Sequence, residues 1–322
     1  MKVLLAVHSG NDVTSIVQYL RKRFAGTEFD LDVLTVLQAG SNVLGQLGRL
    51  SPDTDAEMRS YNAACDMVSN YARQIGQQCQ VGKMRTHVEY GEPAEVILGF
   101  SRRSNTSLLL LGAPVRSGML TAFRIDGITR RLLKWADCPV EVCKPLVDDA
   151  TEFRVLVPLA LTAGKNNTHP DISAYRWPGK CHVHLLGIVQ PGIDETCFEA
   201  NGAAVLLKMM ESHDAQAKAK AQLQKHSQEL ALRLPPEAKT SHEIIEGDPR
   251  DVTAVAAREL SPDLVVLTQG WEGDSVPNPF SSLAPVSLML SAPCSVMRVD
   301  DRTPQVDDLM TIGQSASLSH SR

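Results

Sequence analysis

Leu108–Met119 reads LLLLGAPVRSGM. Four consecutive leucines make a strand apolar on both faces, as strands are when helices cover a parallel sheet from both sides. Gly112 ends the run. A loop with Arg116, Ser117 and Gly118 follows, and helical periodicity resumes near Asp126–Gly127. Ligands of open α/β sheets bind beyond the carboxyl ends of the strands. A glycine-containing loop feeding a helix N-terminus presents backbone N–H groups to a phosphate. Arg116 would add charge there and Ser117 a hydroxyl donor. The competing reading is a tight turn with a solvated arginine, and glycine spacing alone does not separate the two.

Outward from this stretch the chain alternates. Apolar runs at Lys2–Val7, Leu31–Val36, Met84–Tyr90, Ser107–Gly112 and Pro139–Cys143 are separated by segments of helical period. Asp12–Phe24 carries Val13, Ile16, Val17 and Leu20 on one face, and Asp55–Gln77 carries Met58, Tyr61, Cys65, Val68, Tyr71 and Ile75. Glu92–Ser104 and Asp126–Ala136 complete the set. Strands alternating with helices predict βαβ units and a parallel sheet with helices on both faces.

The second half repeats the plan. Its strand runs are Phe153–Pro158, His182–Val189, Ser241–Glu246, Leu264–Gln269 and Cys294–Val299, with a long helix over Ala203–Leu234. GEPAEVILGFSRRSNTSLLLLGAP at Gly91 parallels GDPRDVTAVAARELSPDLVVLTQG at Gly247, and ADCPVEVCKP at Ala136 parallels SAPCSVMRVD at Ser291. The offset of about 156 residues marks a domain duplication, not a solenoid. We place the domains at 1–147 and 152–300, joined by a Pro-then-acidic linker, with 301–322 a disordered tail. The helix after the first strand has no clear counterpart in the second half. ALTAGKNNTHPDISAYRWPGK is too rich in Gly, Asn and Pro for more than a short helix.

Composition narrows the function classes. The chain has 322 residues, 43% hydrophobic and 21% charged, which is ordinary globular material. A formal net charge of −5, carried by the second half, argues against nucleic acid as a partner. No apolar run approaches the ~20 residues that span a bilayer, and the N-terminal apolar run is too short for a secretion signal. We expect a cytoplasmic protein with no membrane partner. Seven cysteines without a CxxC fit reduced thiols better than a disulfide framework.

LLLLGAPVRSG, ADCPVEVCKP, GDPRDVTAVAARELSPDLVVLTQG and SAPCSVMRV, in this order, resemble the universal stress protein family over roughly residues 1–300. The resemblance implies an α/β fold of two tandem Rossmann-like (flavodoxin-like) domains, each a five-stranded parallel sheet flanked by helices. It implies that the halves pack as a pseudo-dimer through their last strands, Pro139–Cys143 and Cys294–Val299. It also implies a stress-related regulatory or protective role by binding a ligand or a protein partner, with no nameable catalysis, and an adenine nucleotide such as ATP as the alternative ligand.

Both halves depart from the family's ATP signature. That signature is a glycine, a second glycine after two residues, and a Gly-Ser or Gly-Thr pair nine residues further. In the first half Gly112 fits, Val115 replaces the second glycine, and Asp126–Gly127 falls near the final pair, with Thr129 the nearest hydroxyl. A carboxylate at Asp126 would repel phosphates. In the second half Gly270 and Gly273 fit, but Ser281 and Ser282 replace the final pair. The family's first-strand acid is replaced by His8 in the first half and by Leu159 or Ala160 in the second. The candidate binding residues are therefore His8, Ser9, Val36, Gly112, Arg116, Ser117, Gly118, Gly127, Thr129, Gly270, Gly273, Ser281 and Ser282.

HSGNDVTS at His8–Ser15 also resembles the pyrophosphate loop of adenylating enzymes, whose backbone amides cradle pyrophosphate. The structural reading is that Asn11 or Asp12 caps the helix over Val13–Phe24. His182 and His184 alternate on one strand and share a face. A zinc site needs three or four converging ligands, so they are expected as core or helix-facing residues. Cys138 and Cys294 are expected as small buried hydrophobes, and Lys218, Lys220 and Lys225 as part of a solvated helix face.

Overall fold

The computed structural model describes residues 1–38, 54–112, 127–148, 150–161, 172–189, 202–268 and 292–299. The loop residues Arg116, Ser117, Gly118, Gly270, Gly273, Ser281 and Ser282, together with Val115, Asp126 and the expected tail 301–322, lie outside them.

All ten predicted strands form. They are β1 (Lys2–Ala6), β2 (Phe29–Leu37), β3 (Val81–Tyr90), β4 (Leu108–Gly112), β5 (Val140–Cys143), β6 (Phe153–Leu161), β7 (Cys181–Val189), β8 (Lys239–Glu246), β9 (Leu264–Leu267) and β10 (Ser295–Arg298). β3 and β8 begin before their apolar runs because ladder pairing with β2 and β7 extends into polar, exposed residues. The strands form one sheet in the order β3-β2-β1-β4-β5-β10-β9-β6-β7-β8. Within each half the neighbours are parallel and the order is the same. The halves meet where β5 and β10 pair antiparallel, with Val142 opposite Val296 and Glu141 opposite Met297.

Six helices cover the sheet: α1 (Val13–Arg23), α2 (Thr54–Gln78), α3 (Pro93–Arg103), α4 (Gly127–Trp135), α5 (Gly202–Arg233) and α6 (Pro249–Glu259). Ile16, Val17 and Leu20 of α1, Val68 and Ile75 of α2, and Leu223 and Leu230 of α5 pack with Val3, Leu5, Val155 and Val157 on one face. Ala94 and Ile97 of α3, Leu132 and Leu133 of α4, and Ala256 and Ala257 of α6 pack with Leu4, Leu109, Leu156 and Val265 on the other. The period-2 alternation of each strand divides its apolar residues between these layers.

Two local devices recur with the duplication. α3 starts at Pro93 after the cap Glu92, and α6 starts at Pro249 after the cap Asp248. A proline at the first helical position sacrifices no hydrogen bond. Gly91 and Gly247 just before them have φ of +146° and +156°. A Cβ at either would meet Val96 or Val252 at 2.8 or 2.7 Å. One device does not recur. Among the described residues, the only helix where α1's counterpart would stand is a 3-10 turn at Ile172–Ala174, with Trp177 Nε1–H donating to Ile172 O at 2.8 Å.

That asymmetry shapes the seam between the halves. The last turn of α1 reaches the Tyr175–Trp177 segment. Arg23, fully buried, lies 4.4 Å from the centre of the Trp177 ring and 5.7 Å from that of Phe153. It donates to Arg176 O at 2.6 Å and stands 3.6 Å from the buried carboxylate of Glu141. Tyr19 O–H donates to the same carboxylate at 2.7 Å. Beside this group Lys22 Nζ meets the buried Asp263 at 2.7 Å, and the other oxygen of Asp263 accepts from the Arg154 N–H at 2.7 Å. Lys144 Nζ donates to Ala292 O at 2.6 Å. The seam is thus a polar, desolvated joint inside an otherwise apolar core.

The cysteines are free wherever they are described. Cys294 is buried and its thiol is pushed up to about 11 by burial. Cys138 is only partly buried, with its sulfur 3.4 Å from the Ser101 hydroxyl, and burial raises it as well. Both are therefore poor thiolates. Lys218, Lys220 and Lys225 lie on the exposed side of α5, and Lys225 pairs with Glu229 at 3.8 Å.

Candidate functional site

The crevice beyond β1 and β4 is where an open α/β sheet takes a ligand. In the first half one side chain ties the described strand ends together. Asn11 Oδ1 accepts from the His8 N–H at 2.8 Å, and Asn11 Nδ2 donates to Gly112 O at 2.9 Å. The Asn11 N–H closes a turn on His8 O at 3.0 Å, and Tyr71 O–H donates to Asn11 O at 3.2 Å. The Gly10 N–H donates to His8 Nδ1 at 3.0 Å. The end of β1 is thereby tied to the end of β4 and to α2.

Gly112 has a packing reason here. A Cβ on it would lie 2.7 Å from Asn11 Cγ and 2.8 Å from Ile16 Cδ1. Its carbonyl is also the acceptor for Asn11. The glycine expected to admit a phosphate instead admits a side chain of its own chain.

The N-terminus of α1 is likewise committed. Asp12 caps it, accepting from the backbone N–H groups of Thr14 and Ser15 and from the Ser15 hydroxyl. The Ser15 hydroxyl bond is the largest cause that holds the Asp12 carboxyl below the usual carboxylate range, and burial opposes it. A pyrophosphate at these amides would have to displace a carboxylate.

The remaining described candidates are arranged around that end of the sheet. Ser9 is exposed in the turn after β1. Val36, near the end of β2, packs against the α3–α4 layer. Gly127 opens α4 with free space where a Cβ would be, and Thr129 is half-buried in its first turn, which carries no acidic residue. In the second half the register aligns Leu156 with Leu4 and Val265 with Leu109. Ala160 then holds the place of His8, and buried Thr268 the place of Gly112.

A second polar region lies on the α3–α6 side of the outer strands, and the sequence reading did not anticipate it. In the first half Asp32 on β2 is contacted by Lys2 Nζ at 3.1 Å and His87 Nε2 at 3.1 Å, with Arg85 at 4.0 Å. Burial alone would raise the Asp32 carboxyl, but hydrogen bonds from His87 and Lys2 outweigh it and hold it below its usual range. A folded value below the unfolded ~3.9 stabilises the fold above about pH 4 and ceases to do so as pH falls through the folded value. Asp32→Asn is expected to lower the urea midpoint at neutral pH, and the gap from the parent chain should close as pH falls below about 4. A gap that stays constant with pH would contradict the assignment.

In the second half His182 and His184 share one face, on the α6 side of the sheet, and neither is fully buried. Both are half-buried and turn to β8, where they meet Ser241 and Glu243. The missed signal was strand register, since β8 is an edge strand whose polar alternation Lys239, Ser241, Glu243 matches His182 and His184. Among the described residues no group of three His, Cys, Asp or Glu side chains is placed to hold a metal ion. None of the described helices is long and apolar enough to cross a membrane.

A twice-repeated, doubly wound α/β unit with its crevice at the β1/β4 strand ends defines a Rossmann-like tandem protein. Residues 1–144 match the model of the Universal stress protein family. Over nearly its full length the chain is similar in fold to a universal stress protein from Archaeoglobus fulgidus DSM 4304. That similarity has 15% identity and a TM-score of 0.57 and covers 93% of this chain and 96% of the other. It is similar also to a functionally unknown protein from Pseudomonas aeruginosa PAO1, at 14% identity and a TM-score of 0.56, covering 98% and 96%. At these identities the likeness is one of fold. No curated protein matches the chain.

Proposed function

We propose that this chain is a cytoplasmic regulatory or protective protein of the universal stress type, built as two domains, 1–147 and 152–300, packed as a pseudo-dimer and acting by binding. The observation that carries this reading is Asn11 bridging His8 and Gly112. The strand ends of the first half are bridged there by the chain's own groups, which favours recognition of a protein or small anion over a triphosphate. The adenylating-enzyme alternative is weakened by the same region, because Asp12 already occupies the amides of α1.

A second reading, an adenine nucleotide held by one half, is favoured by the start of α4. Gly127 and Thr129 stand in a first turn that itself holds no acidic residue, and a helix N-terminus attracts anions, with the carboxylate of the preceding Asp126 opposing this. One experiment separates the readings. The chain is purified without added ligand and denatured, and the supernatant is chromatographed; the native chain is also melted with and without ATP. We expect no stoichiometric adenine nucleotide and no melting shift. A ligand present at a hundred times its dissociation constant would add about 2.7 kcal/mol, so a shift is easily seen. Stoichiometric nucleotide, or a shift that Gly127→Val abolishes, would overturn the first reading in favour of the second.

A further inference from the structure

We propose that Ser241 is a nucleophile, served by His184 as general base and Glu243 as the group that positions that base, and that it accepts an acyl group from a small reactive ester or thioester. The β7–β8 register sets His184 directly opposite Ser241. Ser241 Oγ is 2.8 Å from His184 Nδ1, and His184 Nε2 is 3.1 Å from Glu243 Oε1. Nucleophile, base and orienting group are thus in hydrogen-bond reach in sequence, as activated serines require. His182 Nε2 lies 2.7 Å from the same hydroxyl oxygen.

The proton positions follow from donor chemistry. A carboxylate only accepts, so His184 carries its proton on Nε2 and its Nδ1 is an acceptor. Ser241 then donates to His184, and the remaining lone pairs of Oγ accept from His182 Nε2–H. With His184 neutral, this arrangement satisfies Ser241 and both nitrogens of His184 and aims the serine proton at a base. Burial lowers the His182 imidazole, against the opposing charge of Glu152. Lys239 pairs with Glu152 at 2.9 Å beside it.

The site is accessible. β8 is the outermost strand of the sheet, Ser241 is half-buried, and the side chains of His184 and Glu243 are 19% and 45% exposed. The fold does not demand this arrangement. The register-equivalent positions of the first half hold Asp32, Arg85 and His87, which meet as ion pairs with no hydroxyl between them.

The step balances. Ser241 Oγ bonds to the acyl carbon while its proton passes to His184 Nδ1, and Glu243 holds the imidazolium. His182 Nε2–H is the nearest donor for the oxyanion. Collapse breaks the bond to the leaving alkoxide or thiolate, which takes the proton from His184. Ser241 remains as an ester, and nothing is oxidised or reduced.

The test treats the folded full-length chain with a fluorophosphonate probe, in which an Oγ–P bond forms and fluoride leaves with the serine proton. Adducts are mapped by peptide mass spectrometry, with p-nitrophenyl acetate as a second, acyl probe. We expect a single adduct at Ser241, a matching acetyl-serine, and none in Ser241→Ala. His184→Gln should slow labelling roughly 100-fold or more, the scale of a lost general base. Glu243→Gln should slow it less, and Glu243→Asp should restore part of the rate, which a purely structural role for Glu243 would not produce. Absence of an adduct at Ser241 in the parent chain, or a rate indifferent to His184→Gln in a variant with the parent's melting point, would overturn the proposal. The mapping on the parent chain decides the matter even where a variant fails to fold.

Discussion

Glu141→Leu is expected to lower stability by about 3–5 kcal/mol, the scale for breaking a buried ion pair on one side. Glu141 and Arg23 are both fully buried, and the arginine cannot shed its charge. Without Glu141 the guanidinium keeps its aromatic neighbours and Arg176 O but loses its carboxylate, and Tyr19 loses an acceptor. Burial raises the Glu141 carboxyl, and the Arg23 charge and the hydrogen bonds from Tyr19 and Arg23 offset this only in part. The Arg23→Met/Glu141→Leu double variant should therefore recover most of the loss, because well-packed apolar replacements for a buried pair are often neutral. Urea midpoints of the two single variants and the double variant check this. A mild Glu141→Leu, with no recovery in the double variant, would contradict it.

Asp263→Ala is expected to cost a similar amount, about 3–5 kcal/mol. Its carboxylate is fully buried and receives Lys22 from the other half at 2.7 Å and the Arg154 backbone N–H at 2.7 Å. Removing it leaves the mostly buried Lys22 ammonium with only the longer 3.6 Å contact to the half-exposed Asp148, and strands the Arg154 N–H. Because the pair is desolvated, the loss should change little between low and high salt, unlike that of an exposed pair such as Arg102–Asp137. A double-mutant cycle with Lys22→Met should give a coupling well above the few tenths expected of independent sites. Near-zero coupling would place the cost elsewhere.

These seam residues also mark where sequence reasoning stopped. The strands were legible because their apolar runs, such as Leu108–Leu111, state their own burial. The Asp12 cap was legible because its partners Thr14 and Ser15 are local. The 3-10 turn that stands, among the described residues, where α1's counterpart would be agrees with the Gly, Asn and Pro composition. Glu141, by contrast, sits inside an apolar run that reads as an ordinary closing strand, and its partners lie far away in sequence at Tyr19 and Arg23. Lys22 and Asp263 are separated by 241 residues. His182 and His184 were rightly placed on one face, but their neighbours depend on the register of β7 against β8, which no local pattern encodes. At the candidate crevice the glycine was visible, but not that Asn11 would fill the space it leaves.

The antiparallel joint of β5 and β10 sets Glu141 against Met297. Two separate copies meeting by a true two-fold axis on β5 would have to set Glu141 against Glu141, two carboxylates with no water between them. β5 ends at Cys143 and β6, the first strand of the other half, starts at Phe153, so each half faces its mate at a local concentration on the millimolar scale. The joint therefore does not come apart on dilution. With mating guaranteed by covalent connection, its two sides are free to diverge, one keeping the acid and the other supplying the aromatic cage for its counter-charge.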